Sequence, residues 1–369
     1  MAPSLRKPPI NPPVPMKPLY WTRIITSKPA PVAATEIKKE DLWQDLEEAN
    51  ISNLQKFMNL FSRQVVTKKA PVKKVEKPKK NVAVKILDSK RSQNRATPEE
   101  LSMIKEHVSK NKEEPLDKPE QFLYDLSEIQ CFAERISCFM FQVEFEDSVA
   151  TLSNTLSNLK SLCEIMLNGK ELKQVFGIIL KLGNVMNGGN RTRGQADGFG
   201  LEILAKLKDV KSKDNQITLL HFIVETYMDE SKEEAWNVAL PIPNTWDVSR
   251  AAEVDFENLA KVIDQLKVKL DACTKRTQKV LDNSSPENIQ PFKDKMESFI
   301  QNANETINNE RTSMQDIKNK FIKTMCFFSF KPKTGPLESC PTNEFFSLWI
   351  PFCKDFEQIW KKEQQKRND

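Results

Sequence analysis

The chain has 369 residues, 39% apolar and 29% charged, and its 56 basic and 51 acidic side chains leave a net charge of +5. No stretch is apolar for long enough to cross a bilayer, so a soluble protein is expected, and so small a basic excess argues against a nucleic-acid module. Nine glycines, far below the roughly 7% of an average chain, together with the many charged residues favour long helices and an all-α fold.

Residues 1–18 carry proline at positions 3, 8, 9, 12, 13, 15 and 18. Each ring fixes φ and removes a donor, so this stretch reads as polyproline II, a tail or a ligand for aromatic grooves. No apolar leader core precedes it, and a cytosolic or nuclear location is expected. Met16 to Ile24 (MKPLYWTRI) is an aromatic and aliphatic cluster too short to bury itself, so it needs a partner surface. A second tryptophan, Trp43, opens an amphipathic stretch through Leu46, Leu54, Phe57 and Phe61 that reads as one or two short helices. Residues 66–80 hold seven lysines, two prolines and one glutamate, which predicts a self-repelling flexible linker or a basic contact strip.

From Leu101 the helical signal strengthens. Phe122, Leu126, Ile129, Ala133, Ile136, Met140 and Val143 step by threes and fours, and Leu152, Leu156, Leu159, Cys163 and Met166 continue them, so both sets are expected to face a core. Asn168-Gly169 breaks that helix, and Leu172 to Met186 forms another. Six of the nine glycines (183, 188, 189, 194, 198, 200) fall just after or within its end, which predicts close backbone approach or positive φ there. Ala252, Phe256, Leu259, Ile263, Leu266, Leu270 and Cys273 follow a 3.5-residue repeat, and Phe292 to Phe321 repeat it beyond a Ser285-Pro286 hairpin, predicting two coiled-coil-like arms. Phe345, Phe346, Leu348, Trp349, Phe352, Phe356 and Trp360 lie on a closing helix with a basic end.

Chemistry is thin. Seven cysteines, none spaced C-x-x-C, indicate neither a disulfide framework nor a zinc knuckle, and two distant histidines, His107 and His221, leave little for acid/base or metal work. The P-loop, Rossmann, zincin, nucleophile-elbow and kinase signatures are all missing or incomplete. No enzyme activity, catalytic residue, metal or cofactor is expected.

The glycine-rich segment, however, reads Gly183-Asn184-Val185-Met186-Asn187-Gly188-Gly189 and continues to Gly198-Phe199-Gly200-Leu201, Lys208-Asp209-Val210-Lys211-Ser212 and Thr218-Leu219-Leu220-His221-Phe222. This order closely resembles the formin homology 2 domain, of a type similar to the founding vertebrate formin. Lys17-Pro18-Leu19-Tyr20-Trp21 and Leu42-Trp43 resemble the two tryptophan stations of that family's N-terminal lasso, and Leu87 to Asn94 (LDSKRSQN) the start of its knob. The resemblance implies an all-α fold with elongated bundle and coiled-coil arms, closing as a head-to-tail ring dimer in which each lasso wraps the post of its sister.

Implied dimerisation residues are Leu19, Tyr20, Trp21, Trp43, Gly183, Asn184, Met186, Asn187, Gly188, Gly198 and Phe199; implied actin contacts are Lys90, Arg91, Gln93, Arg191, Arg193 and Lys211. The implied organisation is 1–15, the end of a profilin-binding proline-rich region; 16–65, the lasso; 66–82, the linker; 83–121, the knob; 122–330, coiled coil and post; and 331–369, a C-terminal helix. The implied activity is nucleation, capping and processive elongation of unbranched actin filaments at the barbed end. Partners are actin, a second copy and profilin, with microtubules as a further one and no nucleic acid; the location is the cytoplasmic actin cytoskeleton, extending to the nucleus and cell junctions. The pattern departs in one place. After Asn94 the family continues through an actin-contacting isoleucine and some tens of helical residues, but here Asn94 runs straight into Arg95-Ala96-Thr97-Pro98. A different class of function, a coiled-coil scaffold meeting filament sides, microtubules or anionic membrane through basic segments, explains the heptads and the lysines but not the glycines or the tryptophan strap.

Overall fold

The computed structural model describes residues 7–26, 41–63, 98–110, 116–231 and 238–368. Lys90, Arg91, Gln93 and the lysine-rich linker lie outside them. The architecture is all-α. In chain order the helices are α1 (Leu42–Asp45), α2 (Leu54–Phe61), α3 (Pro98–Lys110), α4 (Lys118–Glu128), α5 (Phe132–Asn168), α6 (Lys170–Met186), α7 (Leu219–Glu230), α8 (Thr245–Ala252), α9 (Phe256–Asp282), α10 (Gln290–Phe327), α11 (Thr342–Phe346) and α12 (Trp349–Asn368). The strands among the described residues are β1 (Arg23–Ile24) and β2 (Gly198–Phe199), paired antiparallel with Arg23 opposite Phe199. No described helix is long and apolar enough to cross a membrane.

Local chemistry sets the boundaries. Asp41, Thr218 and Asn244 cap α1, α7 and α8 by accepting from the backbone N–H of Trp43, His221 and Trp246, relieving donors that a helix start leaves unpaired. The heptad run read from Ala252 is interrupted. Asp255 accepts from the N–H of Glu257 and Asn258 and starts α9 afresh, so α8 and α9 are separate. Pro286 to Asn288 form a single 3-10 turn between α9 and α10.

The chain divides into two units. The first comprises residues 1–66, 150–261 and 310–369. Its core is aromatic: Trp349 stacks on Phe176 and meets Phe328 edge-on, while Phe321 packs on Phe345 and Phe346. The closing aromatic run is two helices rather than one, since Ser347 and Leu348 interrupt it; its six aromatic residues are buried, whereas Leu348, read with them, is half-buried in the break. The second unit, residues 67–149 and 262–309, is a narrower bundle in which Cys138, Phe141 and Phe145 of α5 face Cys273 and Thr277 of α9 and Phe299 of α10. The buried positions of α9, Ile263, Leu266, Leu270, Cys273, Thr277 and Val280, alternate by three and four as a heptad seam does.

One expectation fails in this second unit. Phe122, Ile129, Ile136, Met140 and Val143, read as core-facing, are exposed, and α4 buries none of its residues. The reason is geometric: Phe299 and Cys273 select the α5 face carrying 138, 141 and 145, and residues 136, 140 and 143 lie round the helix from it. The continuation of that stripe, Leu152, Leu156, Leu159, Cys163 and Met166, is buried as read.

The two faces of α5 predict opposite sensitivities. Phe141→Ala is expected to cost about 3–5 kcal/mol, whereas Met140→Lys should shift the unfolding midpoint by no more than about 0.5 kcal/mol. Chemical denaturation followed by helical circular dichroism measures both, and comparable losses would show that α5 is rotated relative to this description.

Candidate functional site

The N-terminal strap lies across the glycine-rich loop that follows α6, within the first unit. Its main chain is held residue by residue. Asn187 accepts from the Leu19 N–H through Oδ1 and donates through Nδ2 to the Leu19 carbonyl, both at 2.9 Å. One side-chain amide thus pairs with both polar groups of one residue, as a neighbouring strand would. Further along, Gly200 N–H donates to the Thr22 carbonyl, Asp197 N–H to the Ile24 carbonyl, and Thr26 N–H to the Asp197 carboxylate at 3.0 Å. Arg23 donates to the carbonyls of Gln195 and Arg191. Gln195 presents that carbonyl from a left-handed backbone (φ 43°), a conformation a non-glycine residue holds only when its surroundings fix it.

Two tryptophans seat the strap. Trp21 stacks on Phe199 with ring centroids 5.6 Å apart and planes within 7°, and its indole N–H donates to the Arg193 carbonyl. Trp43 meets the same Phe199 edge-on at 4.8 Å, and its indole N–H donates to the Phe328 carbonyl. Each lies against a glycine: a Cβ on Gly183 would overlap the six-membered ring of Trp21, and one on Gly198 would overlap Trp43. Here the glycines serve close approach. Phe176 closes the far side of Phe199 at 5.3 Å. Trp43 and Phe199 are fully buried, and Trp21 and Leu19 nearly so.

The other implied dimerisation residues fall around this cluster. Asn184 is buried and bonds Glu48, the Ala196 carbonyl and the Ala196 N–H, which fixes the loop's return. Met186 is buried at the end of α6, and Gly188 lies beneath Ile10 and Pro12, so part of the proline-rich stretch is already packed on the loop. Tyr20 points outward, with the Arg193 guanidinium 4.6 Å from its ring centre. Arg193 therefore belongs to the strap site, while Arg191 and Lys211 are exposed.

The sequence reading passed over Glu48, which ties Lys181, Asn184 and Gln195 together; Lys17, read there as part of the strap motif, donates from its ammonium to the Lys211 and Ser212 carbonyls. A carboxylate two residues beyond Leu46 in an acidic stretch carries no sequence signal. The same holds for Asp197 and Glu202, which accept from strap N–H groups. Beside the strap opens a cleft of about 910 Å³ rimmed by Asp45, Glu47, Glu48, Glu171 and Glu230. Away from it, His221 lies 3.1 Å from Glu363 and 3.7 Å from Glu225, whose carboxylates also have Lys366 and Lys56 as counter-charges. That arrangement ties α7 to α12, Lys366 pairing with Glu225 across them.

These features define a helical recognition module that clamps an extended, tryptophan-bearing strap. A profile of the Formin Homology 2 Domain matches residues 94–357. Across 98% of its length the chain is 40% identical to protein cappuccino of Drosophila melanogaster, covering 41% of that protein. It is 39% identical to formin of Gallus gallus and 40% to formin-2 of Homo sapiens, again over 98% of the chain and covering 33% and 23% of those proteins. The chain belongs to the formin homology 2 family. It spans less than half the length of these relatives. Their alignments extend over 437, 406 and 407 residues, more than the 369 of the chain, so the relatives carry residues inside the aligned span that this chain lacks.

Gly183→Ala is expected to expel Trp21, at a cost on the order of 1–3 kcal/mol, and to red-shift tryptophan emission. Asn187→Ala leaves both polar groups of Leu19 unpaired, a loss of about 1–3 kcal/mol. Backbone amide exchange at Leu19 reads the second change directly; unaltered protection there would remove Asn187 from the clamp.

Proposed function

We propose that this chain is the actin-assembling module of a formin: a non-enzymatic dimer that bridges actin subunits at the barbed end, nucleates unbranched filaments and stays with the growing end. Membership in the family carries the reading. The seating of Trp21 and Trp43 against Gly183 and Gly198 supports it, because aromatic anchors in desolvated pockets dominate interface energies. The strap is proposed to serve the same pocket on a sister chain. Lys211, exposed beside the strap, and Arg191 on the loop suit the acidic surface of actin, whereas the cleft rimmed by Asp45, Glu47, Glu48, Glu171 and Glu230 has the wrong sign for it. Lys90, Arg91 and Gln93 complete the proposed contact from the knob. Profilin is assigned to proline-rich sequence ahead of Ile10, since Ile10 and Pro12 already lie on Gly188. We place the activity in the cytoplasmic actin cytoskeleton, with nuclear and junctional pools and a microtubule contact as secondary assignments.

The knob is the weak half of the bridge. The profile match begins at Asn94, where the resemblance loses its isoleucine and following helices. The exposed Phe122, Ile129, Ile136, Met140 and Val143 are the apolar face such helices would cover. We therefore assign the post contact as intact and the knob contact as impaired, which makes binding along filament sides, or poisoning of full-length partners, the activity of the chain as it stands.

Assembly of pyrene-labelled actin tests this. A version carrying a relative's knob segment after Asn94 is expected to accelerate assembly at least several-fold more than the chain itself, and Lys211→Ala should reduce that acceleration without changing the mass by light scattering. Failure of the repaired version to bind or assemble actin would remove actin as the substrate. Equal acceleration by both versions would show the missing segment to be dispensable.

A further inference from the structure

Away from the strap, α7 and α12 bring three metal-ligating side chains together. His221 and Glu225 stand one turn apart on one face of α7, and Glu363 comes from α12. His221 Nε2 lies 3.1 Å from a Glu363 oxygen and 3.7 Å from a Glu225 oxygen, and one ligand atom of each residue lies within 4.8 Å of the other two. Neighbouring contacts hold the helices at this spacing: Tyr227 meets Trp360 with ring centres 5.9 Å apart, and Arg367 donates to the Asp229 carboxylate at 2.7 Å. Ion pairing leaves the cluster incomplete. The Glu363 side chain is only 5% exposed, yet the ammonium groups facing the two carboxylates, Lys366 at 3.6 and 4.0 Å and Lys56 at 3.7 Å, stand beyond hydrogen-bond reach on exposed side chains. The second oxygen of Glu225 is buried and accepts no hydrogen bond, a costly state for a carboxylate.

We propose that His221, Glu225 and Glu363 bind one zinc ion, with water in the fourth position, and that the ion pins the C-terminal half of α12 to α7. This goes beyond the actin activity proposed above and does not rest on it. The donor set selects the metal. An imidazole favours zinc over calcium or magnesium, which take oxygen ligands, and two carboxylates balance a divalent charge. Ligands about 2.0–2.2 Å from a tetrahedral ion stand about 3.3–3.6 Å from one another. The separations of 3.1 and 3.7 Å bracket that range, so small side-chain adjustments complete the site. His221 is 28% exposed at its side chain, which gives the ion and its water a way in. Lys366 is the resident competitor: its ammonium neutralises the same carboxylates and swings into solvent when the ion arrives. Two histidines far apart gave no metal signal in the sequence because the site needs only one of them, and Glu363 joins it from 142 residues away.

The test uses the full chain without an affinity tag, stripped with a chelator and titrated with zinc chloride by calorimetry, with thermal unfolding followed by circular dichroism. One ion per chain is expected, with an unfolding midpoint that rises with free zinc. Glu225→Gln and Glu363→Gln keep side-chain volume, and each should weaken binding by more than about tenfold, the least that losing even an outer-shell partner costs. Lys366→Met removes the competing ammonium and should tighten binding, a change that a purely ionic cluster would not show. Cobalt in place of zinc reads the ligands on the unmodified chain, so a variant that fails to fold leaves the proposal open to refutation: nitrogen and oxygen donors give d–d bands alone, whereas a thiolate adds an intense sulfur-to-metal band. Absence of binding by the unmodified chain at micromolar zinc would overturn the proposal and leave the three residues as an ion-pair network. Binding that survives in the Glu225→Gln, Glu363→Gln double variant, that disappears in His107→Ala, or that carries the sulfur band would place the ion elsewhere and overturn it equally. Unchanged or weaker affinity in Lys366→Met would remove the competition between ammonium and ion.

Discussion

Phe199 is the contact on which the rest of the first unit is arranged. Trp21 and Phe176 stack on it and Trp43 meets it edge-on, and these belong to three separate stretches: the strap, α6 and the segment that starts α1. Aromatic pairs of this geometry contribute about 0.5–1.5 kcal/mol each beyond burial. The larger effect is topological, because one side chain makes the position of each stretch depend on the other two. From Phe176 the stacking continues to Trp349, so the strap station and the C-terminal aromatic core form one continuous set of rings. The glycines at 183 and 198 are what allow rings of this size to come so near helical and strand backbone.

Much of this was legible in the sequence, and for physical reasons. Glycine scarcity makes the concentration of six glycines within and just after the end of α6 stand out, and an apolar strap that cannot bury itself calls for a concave partner. The rows of α9 and the aromatic rows of α12 were readable because their period matches a helix with one buried face. What was not legible was the choice between two apolar faces on α5. Residues 136, 140 and 143 are as apolar as 138, 141 and 145, and only the opposing Phe299 and Cys273 decide between them. The polar network was equally hidden. Glu48 joins Asn184, Gln195 and Lys181 across more than a hundred residues, and long-range pairing of common residue types leaves no local trace.

The two units differ in how their apolar surface is managed. In the first, most large aromatics are enclosed, Tyr20 and Trp246 excepted; in the second, Phe122, Ile129, Ile136, Met140 and Val143 along α4 and α5 are exposed. Soluble proteins seldom leave such a face without a covering partner. The alignments with the relatives are longer than the chain itself, and the profile match starts at Asn94. The fold of the second unit persists because its heptad seam lies on the opposite side of α5 and is unaffected.

The strap is read chiefly through its main chain. Asn187 pairs with Leu19 as a backbone would, and Thr22, Ile24 and Thr26 are gripped at their peptide groups. A ligand recognised in this way is discriminated by spacing more than by composition. Thr22, held through its peptide groups, could change with modest effect, but one residue inserted between Leu19 and Trp21 would turn the indole to the other face of an extended strand and aim it away from Gly183. In this family member the strap thus behaves as a ruler: divergence by substitution preserves its fit, and divergence by insertion or deletion ends it.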